Sequence, residues 1–366
     1  MRTKTKIAVY DFFCGCGGTS AGFHKAGLDI VFALDVDKDA AQTFKLNFPN
    51  TFFHQGDIRH LVHADIKAII DSHPNHLSLF CACAPCQPYT KQRTDKKDRD
   101  DRLGLLEKFI PIVQQYKPHF VFIENVPGLR KGQGKNNPLR QLEEILEELD
   151  YKMDSDIVAA QDYGSPQIRR RFILLASRIG NIELPKPAYG LGRDKSYRTV
   201  RDAISDIPNI NAGESHPDTK LYPNHRAADL SEMNMRRIKM TPRNGGGRLS
   251  LPAKLQLQCH KKTDKNGKII YGGHTDVYGR LWWDRPSPGL TTRCISFSNG
   301  RYGHPEQDRA LSVREAARLQ GFPDDFVFTG NLNSMAKQVG NAVPVDLSHA
   351  MGKGFIEHIE EVYGKI

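Results

Sequence analysis

The sequence has no uninterrupted run of 18 apolar residues. Its first apolar stretch, Ile7 to Phe13 behind Met1-Arg2-Thr3-Lys4-Thr5-Lys6, is short and holds the acidic Asp11. A spanning helix needs about 20 apolar residues, so neither a membrane span nor a secretory signal is expected. Cysteine is scarce, with seven in 366 residues: Cys14, Cys16, Cys81, Cys83, Cys86, Cys259 and Cys294. An odd number, in a chain whose strand-like segments look core-forming unaided, argues for reduced thiols in a cytosol and against a disulfide framework. Cys81, Cys83 and Cys86 form C-x-C-x-x-C, but no downstream Cys or His pair stands at zinc-finger spacing, so no metal is expected. Internal repeats and low-complexity tracts are also missing.

What is present is enough apolar material for a sizeable core, 39% of residues, in a length that suggests two domains. The net charge of +10 admits nucleic acid, an anionic membrane or plain solubility. Its distribution is more telling. Residues 178 to 305 hold 22 Lys and Arg against 11 Asp and Glu, a net +11, and the rest of the chain holds 30 against 31. All the excess positive charge therefore lies in one middle segment, either a nucleic-acid surface or a solvated face.

The first 177 residues alternate short apolar runs with amphipathic stretches, the signature of a mostly parallel, doubly wound α/β sheet. Strands are expected at Ile7 to Phe13, Ile30 to Asp35, Leu77 to Cys81, Phe120 to Glu124, Ile157 to Ala160 and Phe172 to Ser177. Helices are expected at Ser20 to Ala26, Ala40 to Phe48, Leu103 to Tyr116 and Leu139 to Leu149. From about Pro185 the apolar runs become short and irregular. Ser312 to Leu319 then reads as a capped helix, with Ser312 as N-cap and Glu315 three residues on, and Leu347 to Tyr363 as the last helix.

Two loops carry candidate chemistry. The first strand runs into Cys14-Gly15-Cys16-Gly17-Gly18 and then a helix, so a ligand can approach the backbone and the helix N–H groups closely. The turn departs from G-x-G-x-x-G, because Ser20 stands three residues after Gly17, which weakens a dinucleotide reading. Asp35, closing the second strand, suits two ribose hydroxyls, and Asp57 of Gly56-Asp57-Ile58 suits an adenine amino group. The set fits an adenosyl ligand; alternatively the glycines make a tight turn and both acids cap helices. The second loop, Ala84-Pro85-Cys86-Gln87, follows the strand ending at Cys81. Parallel sheets bind ligands past such strand ends, which makes Cys86 a candidate nucleophile.

The ordered series Asp11 to Gly18, Pro85-Cys86-Gln87, Glu124-Asn125-Val126, Gln167-Ile168-Arg169-Arg170-Arg171, Arg314 to Pro323 and Gly340-Asn341-Ala342-Val343 resembles the motifs of the DNA (cytosine-5)-methyltransferases, in particular restriction-modification enzymes of bacteria and phages. One such motif is weak; six in order across nearly the whole chain are specific. The resemblance implies a Rossmann-like S-adenosyl-L-methionine-dependent catalytic domain over 1–184, a smaller basic target-recognition domain over 185–324, and a return to the catalytic domain over 325–366. It implies that Cys86 attacks C6 of a cytosine flipped out of double-stranded DNA, that Glu124 supports N3, and that Arg169 and Arg171 lie near the base and the carboxylate. It assigns the cofactor to Phe13, Gly15, Gly17, Gly18, Asp35, Asp57, Ile58, Pro85 and Asn341, with S-adenosyl-L-homocysteine as product. The charged run Lys91 to Arg102 would be the loop that closes over the nucleotide.

For DNA contact the candidates are Gln87 and the cations Arg236, Arg237, Arg243 and Arg248 around Asn244-Gly245-Gly246-Gly247. Trp282 and Trp283 read better as small-domain core than as stacking platforms. A bacterial cytosolic monomer, working beside a cognate restriction endonuclease, would be the setting. Two rivals stand beside this reading. One is a tRNA-methylating branch of the same family, which carries a Cys-Phe-Thr tripeptide this chain lacks. The other is a non-catalytic DNA-binding protein on the same scaffold.

Overall fold

The computed structural model describes residues 6–85, 104–130, 137–258, 261–263, 269–271 and 276–364. Contacts divide the chain into two compact units. The first comprises Met1–Gly164, Arg169–Lys195 and Ala342–Ile366; the second comprises Ser165–Ile168 and Ser196–Asn341. The long run of the second unit thus begins at Ser196, and the first unit resumes at Ala342. Residues 185–195 are hydrogen-bonded back onto the first unit, through Tyr163 Oη to the Pro185 carbonyl and Ala188 N to the Asp162 carbonyl.

In chain order the elements are β1 (Lys6–Phe12), α1 (Gly18–Ala26), β2 (Asp29–Asp35), α2 (Lys38–Asn47), β3 (Phe52–Gln55), α3 (His63–Ser72), β4 (His76–Ala82), α4 (Leu105–Tyr116), β5 (Phe120–Asn125), α5 (Pro138–Glu148), β6 (Lys152–Ala159), β7 (Gln167–Ile168) and β8 (Arg170–Ser177). There follow α6 (Val200–Ile204), α7 (Glu232–Met240), β9 (Lys261–Thr263), β10 (Ile269–Tyr271), β11 (Ser287–Pro288), α8 (Val313–Leu319), α9 (Leu332–Asn341) and α10 (Val345–Tyr363). The first unit is built on a seven-stranded sheet of order β3-β2-β1-β4-β5-β8-β6. Six strands run in the same direction, and β8 alone is reversed, antiparallel to both its neighbours β5 and β6.

Period-two burial explains the two layers, since alternate strand residues face opposite sides of a sheet. Tyr10, Phe12, Val121 and Ile123 pack with Phe109 and Val113 of α4 and Leu142 and Leu146 of α5. Val9, Phe120 and Phe122 pack on the other face with Phe23 of α1 and Leu347, Met351 and Phe355 of α10. α1 and α10 approach so closely that a Cβ at Gly22 would collide with the α10 backbone at Val345 and His349. The sequence reading missed β3 and α3. β3 is a four-residue edge strand with no fully buried side chain, and α3 buries only Ile66, so neither leaves a strong periodic signal.

The second unit has a small apolar cluster around Ile238, Tyr278, Phe297 and Ala310. Fully buried arginines brace its irregular backbone. Arg280 donates to the carbonyls of Ile238, Thr241, His304 and Gln307 and to Asp308. Arg314 donates to the carbonyls of Pro223, Pro323 and Phe326. Loops with few ladder partners need such donors for their carbonyls. α8 begins with the expected capping box, Ser312 and Glu315 exchanging hydrogen bonds with each other's backbone N–H groups.

Candidate active site

β1, β4 and β5 end on one edge of the sheet, and the candidate residues of the first unit gather there. β1 passes into the glycine turn through Phe13, whose φ of 62° is left-handed, and Gly15 at φ 54°. A Cβ at Gly15 would meet nothing within 4 Å, so the turn is open at this point, as a ligand's approach requires. Gly17 has φ 99° and caps α1 without any side-chain hydrogen bond, leaving the helix N-terminus to outside acceptors. Gly18 lies against the Val343 backbone and the Ala342 side chain, where a Cβ would clash; its role is close packing.

The acids divide. Asp35 takes Gly15 N on Oδ2 and Asp37 N on Oδ1, each at 2.8 Å, so its carboxylate plane is fixed beside the turn with further lone pairs open. Burial raises its pKa, partly offset by those hydrogen bonds. Asp57 caps the short 3-10 turn Ile58–His60 and holds Arg59 at 2.6 Å, an interaction that lowers its pKa. The Ile58 side chain is core, packed with β1 and β4 residues. Asp11, missed as a site residue, accepts from Ser20 Oγ at 2.6 Å through Oδ2, while its buried Oδ1 has no hydrogen-bond partner among the described residues. Burial pushes this carboxyl up to about 7. An open glycine, an uncapped helix start, an oriented acid and an orphaned acceptor together suit a polar adenosyl ligand.

Cys86 and Gln87 lie outside the described residues, as does the Lys91 to Arg102 run; Pro85, exposed, is the last described residue before them. The residues before Cys86 are held firmly. Asn125 Nδ2 donates to the Ala84 carbonyl at 3.1 Å, tying the loop after β4 to the end of β5. Sequence reasoning gave Asn125 no role, although its place beside Glu124 was the available signal. Thr19 Oγ1 lies 3.3 Å from Cys83 Sγ. Burial, with Glu124 and Asp11 nearby, raises the Cys83 thiol well above its ordinary pKa, and burial does the same to Cys14 and Cys81. These thiols stay protonated and are poor nucleophiles. Among the described residues no group of three metal-ligating side chains occurs.

Arg171 Nε contacts Glu124 Oε1 at 2.7 Å with both side chains largely buried. Alternation delivers this pair: Arg169 is buried, Arg170 exposed and Arg171 half-buried along the extended segment. A guanidinium held against the carboxylate fixes its orientation.

The second unit treats the proposed DNA-contacting cations unevenly. Arg236 pairs with Glu232 and Arg243 with Asp308, both at the surface. Arg237 bonds the Leu255 carbonyl and Asn234 and lies over Tyr278. Arg248 is only 4% exposed. Trp283 is core, donating to Glu306, whereas Trp282 is half-buried against Gly245 with Arg285 and Arg301 over its ring. Asn341 is the last residue of α9, within the second unit.

Residues 7–357 match the family described as C-5 cytosine-specific DNA methylase. The chain is 35% identical to the Type II methylase M.HgiDII of Herpetosiphon aurantiacus, over 97% of each chain. It is 31% identical to the Type II methyltransferase M1.HphI of Haemophilus parahaemolyticus, over 96% of this chain and 87% of that protein. Among solved structures, a prophage-encoded protein of E. coli described as a DNA modification methyltransferase superposes with a TM-score of 0.72 over 96% of this chain and 99% of its own, at 23% identity, a likeness of fold.

Proposed function

Because the chain belongs to the C-5 cytosine-specific DNA methylase family, we propose that it methylates C5 of a flipped cytosine in a specific double-stranded DNA sequence, with the first unit catalytic and the second reading the target. The observation that carries the catalytic assignment is the Arg171–Glu124 pair on the sheet edge from which the Pro85-Cys86 loop departs. C5 of cytosine is a weak nucleophile. Addition of the Cys86 thiolate to C6 makes an enamine whose C5 attacks an electrophile, and loss of the C5 proton then expels Cys86. Glu124 hydrogen-bonds the cytosine edge, accepting from the exocyclic amine and, as a general acid, donating a proton toward N3 as negative charge develops there, while Arg171 fixes the carboxyl group for that task. S-adenosyl-L-methionine, bound, supplies the electrophilic methyl group and leaves as S-adenosyl-L-homocysteine. Gly15, the N-terminus of α1 and Asp35 would hold it, with Phe13 beside the turn and Asp57 shared with Arg59.

The Type II names of the relatives support a modification enzyme whose methyl mark shields DNA from a cognate restriction endonuclease in a bacterial cytosol. Among the described residues no helix is long and apolar enough to cross a membrane. The test is transfer of tritiated methyl groups to duplex DNA and to tRNA, followed by bisulfite sequencing of the DNA product. Labelled duplex with 5-methylcytosine at one sequence is expected; labelling of tRNA alone would overturn the substrate assignment. Arg171→Lys keeps the charge but loses the planar fork, so kcat is expected to fall about tenfold or more with DNA affinity retained. Unchanged kcat in single-turnover assays would remove Arg171 from the mechanism.

A further inference from the structure

The segment Tyr189–Lys195 is a rigid loop that the catalytic assignments leave unused. Ala188 N and Tyr189 N both donate to the Asp162 carbonyl at 3.1 Å, Lys195 N donates to the Ala188 carbonyl, and Gly190 N donates to the Lys195 carbonyl at 2.8 Å. Gly164 fits directly against the Tyr189 ring, where a Cβ has no room, and Lys195 Nζ lies 5.3 Å from the centre of that ring. The loop therefore has a built conformation. At its tip Leu191 stands between Gly190 at φ 130° and Gly192 at φ 71°, and the residue is fully exposed. A singly exposed leucine is ordinary. One held out by flanking left-handed glycines on a hydrogen-bonded loop is a projection the backbone has been shaped to make.

Topology says what it projects toward. Asp162 lies in the short turn Ala160–Tyr163 that continues β6, and Ala159 pairs with Arg170 at the start of β8. The same strand end carries Arg171, whose partner Glu124 closes β5. The loop is thus anchored to the sheet edge that bears the catalytic carboxylate, within the same unit. Its charge fits a polyanion: Lys186, Arg193 and Lys195 stand against Asp194 alone. The Arg193 guanidinium donates to the Pro187 carbonyl at 3.0 Å, and neither it nor Lys195 has an ion-pair acid among the described residues.

We infer that this loop is a duplex-DNA contact: Leu191 is an apolar wedge against the base stack beside the flipped nucleotide, and Arg193 and Lys195 neutralise flanking phosphates. Apolar side chains wedged at a base step, supported by cations on the backbone, are a general way to open a stack. The inference rests on the proposed methylation of duplex DNA, and the test separates the two. With the full chain and its bisulfite-mapped site, Leu191→Ser is expected to lower kcat/KM for duplex about tenfold, the scale of losing one anchoring side chain. It should also reduce the fluorescence rise of 2-aminopurine at the target position, while leaving cofactor affinity by calorimetry unchanged. Arg193→Gln with Lys195→Gln is expected to flatten the slope of log Kd against log salt by up to about two units. If the wild type methylates duplex but Leu191→Ser matches it in kcat/KM and in fluorescence, the wedge is wrong. A wild type that methylates no duplex overturns the functional reading and the wedge together.

Discussion

Cys86→Ser is expected to reduce methyl transfer by at least about 10³-fold, whereas Cys83→Ser, three residues earlier, is expected to leave it within a few-fold of wild type. The two thiols differ in their surroundings. Cys83 follows directly on β4, beside Thr19, and burial together with the Glu124 and Asp11 carboxylates holds its proton on far above neutral pH. A thiol in that state attacks nothing, and a serine there can keep the contact with the Thr19 hydroxyl. Cys86 follows in sequence on the exposed Pro85, two residues after the Ala84 carbonyl that Asn125 ties down. A serine there is too weakly acidic to ionise. Duplex carrying 5-fluorocytosine at the target adds a second readout, because fluorine cannot leave C5 as the proton does and the adduct persists. A stable covalent complex is expected with wild type and Cys83→Ser and none with Cys86→Ser; the reverse outcome would falsify the nucleophile.

The sheet was legible because its signal is local. Each buried strand reads as alternation to two apolar layers, and Tyr10 and Phe12 on one face with Val9 on the other need no knowledge of distant residues. Glu124 and Arg171 were legible as types at strand ends, and the structure adds that they touch. The basic segment was harder. Its net charge invited the view that every cation faces DNA, yet Arg280, Arg301 and Arg248 are all less than 10% exposed. Arg280 braces carbonyls up to 42 residues away, and such long-range partners leave no mark on local composition. Arg314 and Glu315 show the same effect. They lie in a motif that identifies the family, but their contacts are architectural: three carbonyls for Arg314, and Arg309 with the Ser312 amide for Glu315. Among the described residues no acid forms an ion pair with Arg314, and burial lowers its pKa to about 10.

Glu315→Gln is expected to destabilise the protein by about 3–5 kcal/mol, the cost of leaving a buried charge without its counter-ion. Arg309 is fully buried and donates to both Glu315 oxygens, at 2.7 and 2.6 Å, while Oε2 also accepts from Ser312 N at 2.8 Å. The amide keeps the capping hydrogen bond to Ser312 but cannot neutralise the guanidinium. Burial alone would raise the Glu315 pKa; the Arg309 charge and hydrogen bonds outweigh it and bring it to about 2, from an ordinary 4.5. A carboxyl held lower in the folded than in the unfolded chain contributes stability that is complete above pH 4.5 and is lost as pH falls through about 2. Denaturant unfolding of the wild type should therefore weaken across that window, and Glu315→Gln should weaken less steeply there. Replacing both partners, Arg309→Met with Glu315→Leu, removes the orphaned charge but leaves the Ile210 carbonyl and the Ser312 amide without their partners. The double variant should cost less than the two single losses added, since contacting residues do not act independently. Strict additivity, or a Glu315→Gln protein as stable as wild type at pH 7, would mean the pair is not what holds α8 against the backbone at Ile210 and Ala310.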